Sequence, residues 1–552
     1  MSANPSPTQL NAVFLVSALL AAMTPLSIAQ AAQPSKEDCT TIIGFAIPGV
    51  SINEATLQVA QEIPPDPFTG FTGAIPQPAS VGKHCLVRGV IDERKGVGGK
   101  AYGTRFEMRL PIAWNGKFLF QGGGGVDGFV APALGTIPCR GATAAPGLVR
   151  GYAVVSMNGG HPEPNPLFGF DQQARVDFAY ASIGKVTAVS KQVITKLYGA
   201  APKKSVFMGC SNGGREAMIA AQRYPTEFDG VIAGNPGFHL SAANLAEAWD
   251  TQQLMSVAPK NAEGQPILAR AFSQGDLDLV SSAVLQACDG KDGIADGIIN
   301  AWQQCNFDPE ILKCGQDQSN SCLSAMQVGV LKRVFSGPQN SAGAKLYSDW
   351  PYDSGINAPN WRDWKLGRSE TPQPDAHNVI LGGGSMNFYF LTPPDPQFSQ
   401  MAFDFDRDPP RLLETARLND ATSTYLSTFA ERGSKLVLFQ GLSDPVFSAN
   451  DLLRWYRGVQ DTTGNGDLEA VRTFARLFMI PGMTHCGDGP ALDDFDPLSA
   501  LEMWMDEGKA PDFMSASGKA FPGKQQPICA YPRQAIFDGK GDPNKLSSFQ
   551  CR

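Results

Sequence analysis

A serine at the centre of a glycine-rich turn is the residue in this sequence with the strongest potential for chemistry. Residues 209–214 read GCSNGG, which fits the pattern G-x-S-x-G, and they lie between a predicted strand and a predicted helix. This context is typical of a nucleophile elbow, in which small residues allow a tight turn to expose the serine at a helix N-terminus. We predict that Ser211 is a catalytic nucleophile and that the amide of Asn212 stabilises an oxyanion. The alternative is a glycine-rich turn with a capping serine.

A hydroxyl nucleophile needs a base, and the base needs a carboxylate that orients it. With a nucleophile elbow, the order along the chain is serine, acid, histidine. Three histidines follow Ser211, namely His239, His377 and His485. His485 follows the last predicted strand, so it is the predicted base, and Asp444 follows the preceding strand, so it is the predicted acid. The other two histidines fall in an irregular region and are predicted to be lid or surface residues.

A second oxyanion amide is expected from a loop that follows an early strand. Four glycines at 122–125 follow the predicted strand at 117–121, and Gly123 and Gly124 are the candidates for this amide. A dinucleotide-binding fold requires G-x-G-x-x-G followed by an acidic residue about twenty positions on, which this loop does not supply, and the sequence has no Walker A motif. The chemistry expected at this loop is therefore acyl transfer rather than nucleotide binding.

Cysteines flank both principal candidates, since Cys210 precedes Ser211 and Cys486 follows His485. If serine and histidine are in contact, a disulfide between these cysteines would join the nucleophile to the base; the alternative is two unrelated buried thiols. Three further pairs are close in sequence and indicate disulfides in an exported protein, although spacing alone leaves their connectivity open. They are Cys288 with Cys305, Cys314 with Cys322, and Cys529 with Cys551.

The elements that must position these residues alternate between strand and helix, which predicts an α/β fold with a mostly parallel sheet and an α/β-hydrolase core. The alternation stops between residues 238 and 432, which we predict to be an inserted lid domain above the carboxyl ends of the strands. The catalytic domain then comprises residues 33–237 and 433–552. The predicted strands are 104–111, 117–121, 152–158, 205–209, 229–234, 435–441 and 475–482, and the predicted helices are 174–198, 212–224 and 449–459.

The N-terminus and the charge balance indicate an exported protein. Residues 12–22 form an apolar run too short to span a bilayer with ease, and small residues follow at Ala29, Ala31 and Ala32, so residues 1–32 are predicted to be a signal peptide. The alternative is a hydrophobic N-terminal helix of the fold. The 45 basic and 53 acidic residues give a net charge of −8, with no basic block. This balance argues against nucleic acid or an anionic membrane as partner of the mature protein, which we expect to be secreted or periplasmic.

An acidic, glycine-rich stretch in the insertion suggests a metal site. Residues 288–298 read CDGKDGIADGI, which places three aspartates at spacings of three and four. Hard oxygen ligands on such a turn suit Ca²⁺, although the stretch lacks the closing glutamate of an EF-hand. We interpret the site as structural, and the alternative is a solvated acidic turn.

Three short motifs together resemble the tannase and feruloyl esterase family. They are the run CSNGGR at 210–215, SDP at 443–445 and HC at 485–486. The resemblance extends over essentially the whole mature chain. It implies a secreted serine esterase with an α/β-hydrolase core, a large lid and a triad bridged by a disulfide. One departure is Asn158, which stands where family members often have an aspartate before a Gly-His pair.

The resemblance also implies individual roles. Ser211 would be the nucleophile, His485 the base and Asp444 the orienting acid. Ca²⁺ would be bound by the side chains of Asp289, Asp292 and Asp296 and by the carbonyls of Ile294 and Ile298. The remaining disulfides would be Cys39–Cys85, Cys288–Cys305, Cys314–Cys322 and Cys529–Cys551, which leaves Cys139 unpaired.

The substrate is predicted from aromatic residues in the insertion and from the family. The insertion holds Trp302, Trp350, Trp361, Trp364 and the run MNFYF at 386–390, most of which we expect to fill its own core. Phe447 lies three residues after Asp444 and is expected to face the site. Aromatic walls suit a planar acyl group, so we expect esters of phenolic acids to be hydrolysed through an acyl-enzyme. The alternatives are a serine peptidase or lipase with the same triad, and an exported calcium-dependent binding module without activity.

Overall fold

A nine-stranded sheet organises the protein, as seen in a computed structural model that describes residues 35–63, 79–315 and 321–552. The predicted signal peptide, residues 1–32, lies outside the described residues. The strands in the described part of the chain are β1 (Val50–Gln58), β2 (Gln61–Ile63), β3 (Ala79–Val81), β4 (His84–Lys95), β5 (Ala101–Pro111), β6 (Lys117–Gln121), β7 (Ala153–Met157), β8 (Lys204–Cys210), β9 (Gly230–Gly234), β10 (Lys435–Gly441), β11 (Ala475–Ile480), β12 (Phe513–Ala516), β13 (Gln526–Cys529), β14 (Ala535–Phe537) and β15 (Phe549–Cys551).

The helices flank this sheet or lie in the insertion. They are α1 (Lys36–Thr40), α2 (Gln172–Val176), α3 (Ser182–Tyr198), α4 (Asn212–Arg223), α5 (Leu240–Met255), α6 (Gln274–Cys288), α7 (Ala325–Ser336), α8 (Pro359–Lys365), α9 (Leu413–Asn419), α10 (Ser427–Glu431), α11 (Ala449–Thr462), α12 (Leu468–Arg472) and α13 (Pro497–Glu507). Short 3₁₀ and π turns connect several of them, and one π turn at Asp177–Ala181 joins α2 to α3.

The sheet has the strand order β1-β4-β5-β7-β6-β8-β9-β10-β11. The strands from β7 to β11 in this order are parallel, with registers such as Phe118↔Ser205 and Leu438↔Leu477. The strands β1, β4 and β5 add an antiparallel edge next to β7. The prediction of an α/β-hydrolase core with a mostly parallel sheet is therefore confirmed, and the antiparallel edge is an addition to it.

The central strands are apolar on both faces because helices and loops cover both. In β6, Phe118 and Phe120 pack into the core on one face, whereas Leu119 packs into the core on the other. The same alternation places Leu438 and Phe439 of β10 in opposite cores. Continuous apolar strands of this kind are typical of parallel sheets buried on both sides, which is why β6 and β10 have the predicted bounds.

Residues 238–432 connect β9 to β10 and contain α5 to α10 but, in the part that the structure describes, no strand of the main sheet. Helices α5, α6 and α7 share an apolar core that also takes in Val446 and Phe447, just after β10. The insertion therefore packs directly on the carboxyl end of the sheet. No helix in the described part of the chain is long and apolar enough to cross a membrane.

Candidate active site

Four loops converge at the carboxyl ends of neighbouring parallel strands. Ser211 follows β8, residues 122–125 follow β6, Asp444 follows β10 and His485 follows β11. Because these strands are adjacent and parallel, their carboxyl ends open onto the same edge of the sheet. The topology thus brings residues from distant parts of the sequence into one site.

Ser211 lies on a sharp turn between β8 and α4. Its backbone angles, φ 62° and ψ −124°, fall in a region that non-glycine residues rarely adopt. The turn depends on close backbone contacts, since a Cβ atom on Gly209 would lie 2.6 Å from the carbonyl oxygen of Gly213. A Cβ atom on Gly213 would lie 2.5 Å from the carbonyl oxygen of Gly123. These glycines therefore allow the serine to project from the turn.

The side chains of Ser211, His485 and Asp444 form a continuous hydrogen-bond chain. The Ser211 hydroxyl lies 2.9 Å from His485 Nε2, and His485 Nδ1 lies 3.0 Å from Asp444 Oδ2. In this arrangement Nδ1–H donates to the carboxylate, and Nε2 accepts the serine proton. The three predicted residues are thus brought together in the geometry that a general base and its orienting acid require.

Asp444 is buried but extensively hydrogen-bonded. Its Oδ2 also accepts from Asn235 Nδ2 at 2.7 Å and from Gln440 Nε2 at 3.0 Å, and its Oδ1 accepts from the amides of Val446 and Phe447. Burial alone raises the pKa of this carboxyl group, but the charge and hydrogen bonds of its neighbours, His485 first among them, lower the pKa below its ordinary value. Asp444 therefore remains ionised and keeps the histidine in one orientation.

A disulfide joins Cys210 to Cys486, with their Cα atoms 6.1 Å apart. It links the residue before the serine to the residue after the histidine across 276 positions of sequence. The other cysteines pair as Cys39–Cys85, Cys288–Cys305, Cys314–Cys322 and Cys529–Cys551. Cys139 carries a buried thiol that donates to the carbonyl of Asp493.

The two glycine candidates for the oxyanion hole have different roles. The amide of Gly123 donates to Glu216 Oε2 at 2.9 Å, so it points away from the cleft and into the protein. The amide of Gly124 has no acceptor among the described residues. Asn212, at the start of α4, and Gly125 line the cleft with Ser211, so the candidate donors to an oxyanion are the amide of Asn212 and the uncommitted amides of the 124–125 segment.

Behind this loop lies a buried pair of carboxyl groups, Asp127 and Glu216. Asp127 Oδ1 accepts from Asn212 Nδ2 at 2.5 Å, and Asn212 Oδ1 accepts in turn from Arg215 Nε at 2.7 Å. The oxygens Asp127 Oδ2 and Glu216 Oε1 are buried without a hydrogen-bond partner among the described residues.

Burial raises the pKa of both members of this pair, and the charge of Glu216 raises the pKa of Asp127 further. The nearby cation of Arg215 opposes this rise. These shifts favour the protonated form of the pair. It connects the oxyanion loop at Gly123 to the nucleophile helix at Asn212.

Ser211 opens into a cleft of about 550 Å³, its solvent-filled mouth included. Five aromatic side chains line it: Phe178, Trp364, Tyr389, Phe390 and Phe447. The rings of Trp364 and Phe447 meet the His485 ring edge to face, with centroids 5.4 and 5.3 Å away. Phe447 therefore lies where the sequence predicted, on the wall of the cleft.

Most aromatic residues of the insertion do not line this cleft. Trp350 and Trp361 are buried in the core of the insertion, and Trp302 is partly buried against it. Trp350 also donates to the backbone carbonyl of Asp444 at 3.1 Å. These three side chains therefore fill the core of the insertion, as expected. Trp364 and the 386–390 run contribute to the cleft instead.

The remaining histidines lie outside the hydrogen-bond chain. His161 is buried and stacks on Phe168 at a centroid distance of 4.0 Å, and burial lowers its pKa to about 3. His239 lies 3.3 Å from Asp451. His377 packs edge to face on Trp364, so it is close to the site without contacting Ser211.

The predicted calcium loop is ordered by its own amides. Asp289 Oδ2 accepts from the amide of Gly297, and Asp292 accepts from the amides of Ile294 and Asn300. Asp289 Oδ1 is buried without a partner among the described residues, which is the situation of an oxygen that a cation would complete. These two side chains fit Ca²⁺.

Asp296, the third acidic residue of the loop, fits less simply. Its Oδ2 accepts from Lys524 Nζ and from Gln526 Nε2, both at 2.7 Å, so an ammonium group already balances its charge. In the part of the chain that the structure describes, no group of three acidic, histidine or cysteine side chains could hold a metal by itself. Backbone carbonyls would have to supply the remaining ligands.

Sequence reasoning missed the residues that support the site from behind. Asp127, Glu216, Asn235 and Gln440 have no motif of their own, and their roles depend on strands and helices that meet only in the fold. A usable signal existed for two of them, because Asn235 directly follows β9 and Gln440 lies near the end of β10. Both positions belong to the edge where ligands bind in such sheets.

Comparison with known proteins gives consistent matches over most of the chain. Residues 85–552 match the family model described as "Tannase and feruloyl esterase". A mono(2-hydroxyethyl) terephthalate hydrolase of Piscinibacter sakaiensis is 38% identical over 535 residues, covering 88% of this chain and 86% of the relative. A probable feruloyl esterase B-2 of Aspergillus flavus is 30% identical over 442 residues, covering 74% of this chain and 76% of the relative. The crystal structure of feruloyl esterase B from Aspergillus oryzae shares the fold, with a TM-score of 0.77 and 23% identity over 94% of this chain and 100% of that one.

Proposed function

This chain belongs to the tannase and feruloyl esterase family and is a carboxylic ester hydrolase; we propose that it cleaves esters of phenolic acids through an acyl-enzyme on Ser211. The observation that carries the proposal is the hydrogen-bond chain Ser211–His485–Asp444, which opens directly into the aromatic cleft. The relatives named above support an ester with an aromatic acid, since they are a terephthalate ester hydrolase and feruloyl esterases.

The first half-reaction follows from the positions of the three side chains. Ser211 Oγ attacks the ester carbonyl carbon while its proton passes to His485 Nε2, 2.9 Å away. The ionised Asp444 accepts the hydrogen bond of Nδ1–H and stabilises the imidazolium that forms. The negative charge on the carbonyl oxygen is stabilised by the amides of Asn212 and Gly124. His485 then gives its proton to the leaving alcohol, which departs and leaves the acyl group on Ser211.

The second half-reaction repeats these steps with water. His485 takes a proton from a water molecule, whose oxygen attacks the acyl carbonyl, and returns the proton to Ser211 as the acid is released. The disulfide between Cys210 and Cys486 supports both steps, because it limits the separation of nucleophile and base. No organic cofactor takes part in this proposal.

The acyl group is proposed to be aromatic because of the side chains that surround it. Trp364 and Phe447 flank His485, while Phe178, Tyr389 and Phe390 line other parts of the same cleft. Planar rings stack favourably against such side chains. The insertion, residues 238–432, supplies Trp364 and the 386–390 run, which supports its role as a lid over the site.

Calcium and export complete the proposal. We propose that Asp289, Asp292 and Asp296, with the carbonyls of Ile294 and Ile298, bind a structural Ca²⁺ beside the disulfide Cys288–Cys305. The ion would neutralise the buried charge of this loop and would not enter the chemistry. Five disulfides and the apolar N-terminal segment support export of the mature protein, with residues 1–32 as its signal peptide.

The experiment that tests the function combines covalent labelling with a substrate panel. A fluorophosphonate probe should label the wild-type protein at Ser211 and should not label Ser211→Ala. Methyl ferulate, methyl gallate and mono(2-hydroxyethyl) terephthalate, assayed side by side, should include at least one ester that the wild type hydrolyses and Ser211→Ala does not. Turnover of a peptide but of none of these esters would contradict the proposal.

A further inference from the structure

Two polar side chains interrupt the otherwise aromatic wall of the cleft. Asn244 and Glu247 lie three residues apart on α5, so they occupy the same face of the helix, and both line the cleft that contains Ser211. Both are more than nine-tenths buried, with exposed fractions of 2% and 8%. Buried polar groups are expected to have hydrogen-bond partners. The donors and acceptors that this pair leaves unused therefore indicate which ligand group would complete it.

The hydrogen bonds of this pair leave two of its side-chain oxygens unused. Asn244 Nδ2 donates to Glu247 Oε2 at 2.7 Å and to the carbonyl oxygen of Gly382 at 2.8 Å. Both of its hydrogens are thereby used, while Asn244 Oδ1 is buried without a partner among the described residues. Glu247 Oε1 makes no hydrogen bond within the described part of the chain. The pair therefore presents two unused oxygens, one amide and one carboxyl.

The cleft is built to accommodate this carboxyl group. A Cβ atom on Gly382 would lie 2.3 Å from Glu247 Oε2, so the glycine provides the space that the carboxyl group fills. Gly382 also lines the cleft, and its carbonyl oxygen accepts from Asn244. This hydrogen bond connects the wall that contains Gly382 to α5. The three residues thus form one polar corner in an apolar surface.

The charge of Glu247 has no dedicated counter-ion. The nearest cation is Lys365 on α8, and it is already paired with Asp250, one turn further along α5. No lysine or arginine is among the described residues that line the cleft. Burial raises the pKa of Glu247 to about 8; the hydrogen bond from Asn244 and the charge of Lys365 oppose the rise, and the charge of Asp250 adds to it. At pH 7 the side chain is then mostly a neutral carboxylic acid, which donates through its O–H.

We propose that Asn244 and Glu247 form a subsite for a hydroxyl group on the acyl ring, which selects esters of hydroxylated aromatic acids over esters of aromatic dicarboxylic acids. This inference rests on the proposed function. A phenolic hydroxyl both accepts and donates, so it matches an acid O–H together with an amide oxygen. A ring carboxylate only accepts hydrogen bonds, so it cannot pair with the amide oxygen of Asn244. The cleft also offers it no cation, so burial of its charge there would be strongly unfavourable.

The test measures relative activity on matched esters that differ only at the ring. The substrates are methyl benzoate, methyl 3-hydroxybenzoate, methyl 4-hydroxybenzoate and monomethyl terephthalate. For each protein, kcat/KM on a hydroxybenzoate ester is divided by kcat/KM on methyl benzoate. The ratio of each variant is then divided by that of wild type, because a ring hydroxyl also alters the intrinsic reactivity of the ester. Thermal melting and the rate of fluorophosphonate labelling verify that each variant is folded with a reactive Ser211.

Two substitutions of Glu247 separate recognition from a structural role. Glu247→Leu removes the donor, so the ratio for the preferred hydroxybenzoate should fall about tenfold, the effect of one neutral hydrogen bond, while methyl benzoate is still hydrolysed. Glu247→Gln keeps a donor beside Asn244 Oδ1 and should keep the ratio within about threefold of wild type. In wild type the ratio should fall between pH 7 and pH 9 as Glu247 ionises, and in Glu247→Gln it should not.

Several outcomes would overturn the inference. An unchanged ratio in Glu247→Leu would do so, as would monomethyl terephthalate being the best of the four substrates for wild type. If wild type hydrolysed none of the four esters and the probe left Ser211 unlabelled, the proposed function itself would fail and this inference with it. If all four were hydrolysed without preference, only the subsite would be wrong.

Discussion

The backbone amide of Gly123 donates to Glu216 Oε2 at 2.9 Å, which ties the oxyanion loop to the helix that carries the nucleophile. Gly123 is thereby committed to a structural bond, whereas the amide of the adjacent Gly124 has no acceptor among the described residues. The charge of Glu216 in turn raises the pKa of Asp127, whose Oδ1 accepts from the side chain of Asn212. The positions of both oxyanion donors therefore depend on one buried pair of carboxyl groups.

The protonation of this pair should make stability depend on pH. Burial and the charge of Glu216 raise the pKa of Asp127 above its ordinary value of 3.8, so the native state holds a proton that the unfolded chain releases. Between the unfolded and the native pKa, stability therefore falls as pH rises, by up to about 1.4 kcal/mol per pH unit. Asp127→Asn cannot ionise, so its free energy of unfolding, measured with urea at pH 5, 7 and 9, should fall less than that of wild type. The exposed substitution Glu263→Gln is the control, and parallel curves for Asp127→Asn and wild type would contradict this account.

Replacement of the orienting acid should affect turnover rather than binding. Asp444→Asn removes the charge that stabilises the imidazolium and favours the wrong tautomer of His485, so kcat should fall by about 10⁴-fold with little change in KM. Asp451→Asn, which alters the partner of His239 instead, should retain kcat within about threefold. Steady-state kinetics on the best ester of the panel measure both, and comparable losses in the two variants would argue against Asp444 as the acid of the triad.

Removal of the disulfide Cys210–Cys486 beside the triad should impair activity more than removal of the disulfide Cys314–Cys322. In the chain-entropy description, closure of the 276-residue interval between Cys210 and Cys486 stabilises the fold by about 5–6 kcal/mol, and less in practice. Cys210→Ala/Cys486→Ala should therefore melt at a lower temperature and lose activity, and dithiothreitol should abolish wild-type activity before global unfolding. The matched control is Cys314→Ala/Cys322→Ala, which opens an interval of 8 residues in the insertion, worth about 2–3 kcal/mol. Full activity in the first double variant would show that the bond is dispensable for the site.

Calcium removal should lower stability without altering the chemistry. A ligand at 100 times its Kd stabilises the native state by about 2.7 kcal/mol, so EDTA should lower the melting temperature and Ca²⁺ should restore it. Asp289→Asn should melt at a lower temperature in Ca²⁺ and should no longer respond to EDTA. Asp308→Asn, an acidic residue elsewhere in the insertion, should respond as wild type does. If EDTA leaves the wild-type melting temperature unchanged, the loop is stabilised by its amides and Lys524 alone.

The residues that carry the chemistry were predictable because each has a local signature. Ser211 lies in a five-residue turn pattern, and Asp444 and His485 each lie in the loop that follows an apolar strand. The buried strands β6 and β10 were predicted with their correct bounds for the same reason, since a short apolar run between polar ends defines them.

The remainder required the fold because its signals are not local. The strands β1, β4 and β5 form an antiparallel edge, and their pairing depends on contacts with one another and with β7. Asp127 and Glu216 lie 89 positions apart in the printed sequence and come together only when β6 and β8 are adjacent. The distinction between Gly123 and Gly124 likewise depends on which amide faces Glu216, which no pattern of glycines could indicate.

The separation of Ser211 from His485 by 274 positions has a consequence for synthesis. At 5–20 residues per second, a ribosome needs roughly 15–55 s to proceed from the serine codon to the histidine codon. Throughout that interval the nascent polypeptide carries its nucleophile without a base. Hydrolytic competence therefore arises only after translation has passed the last parallel strand, so an incomplete chain cannot attack esters in the cell that makes it.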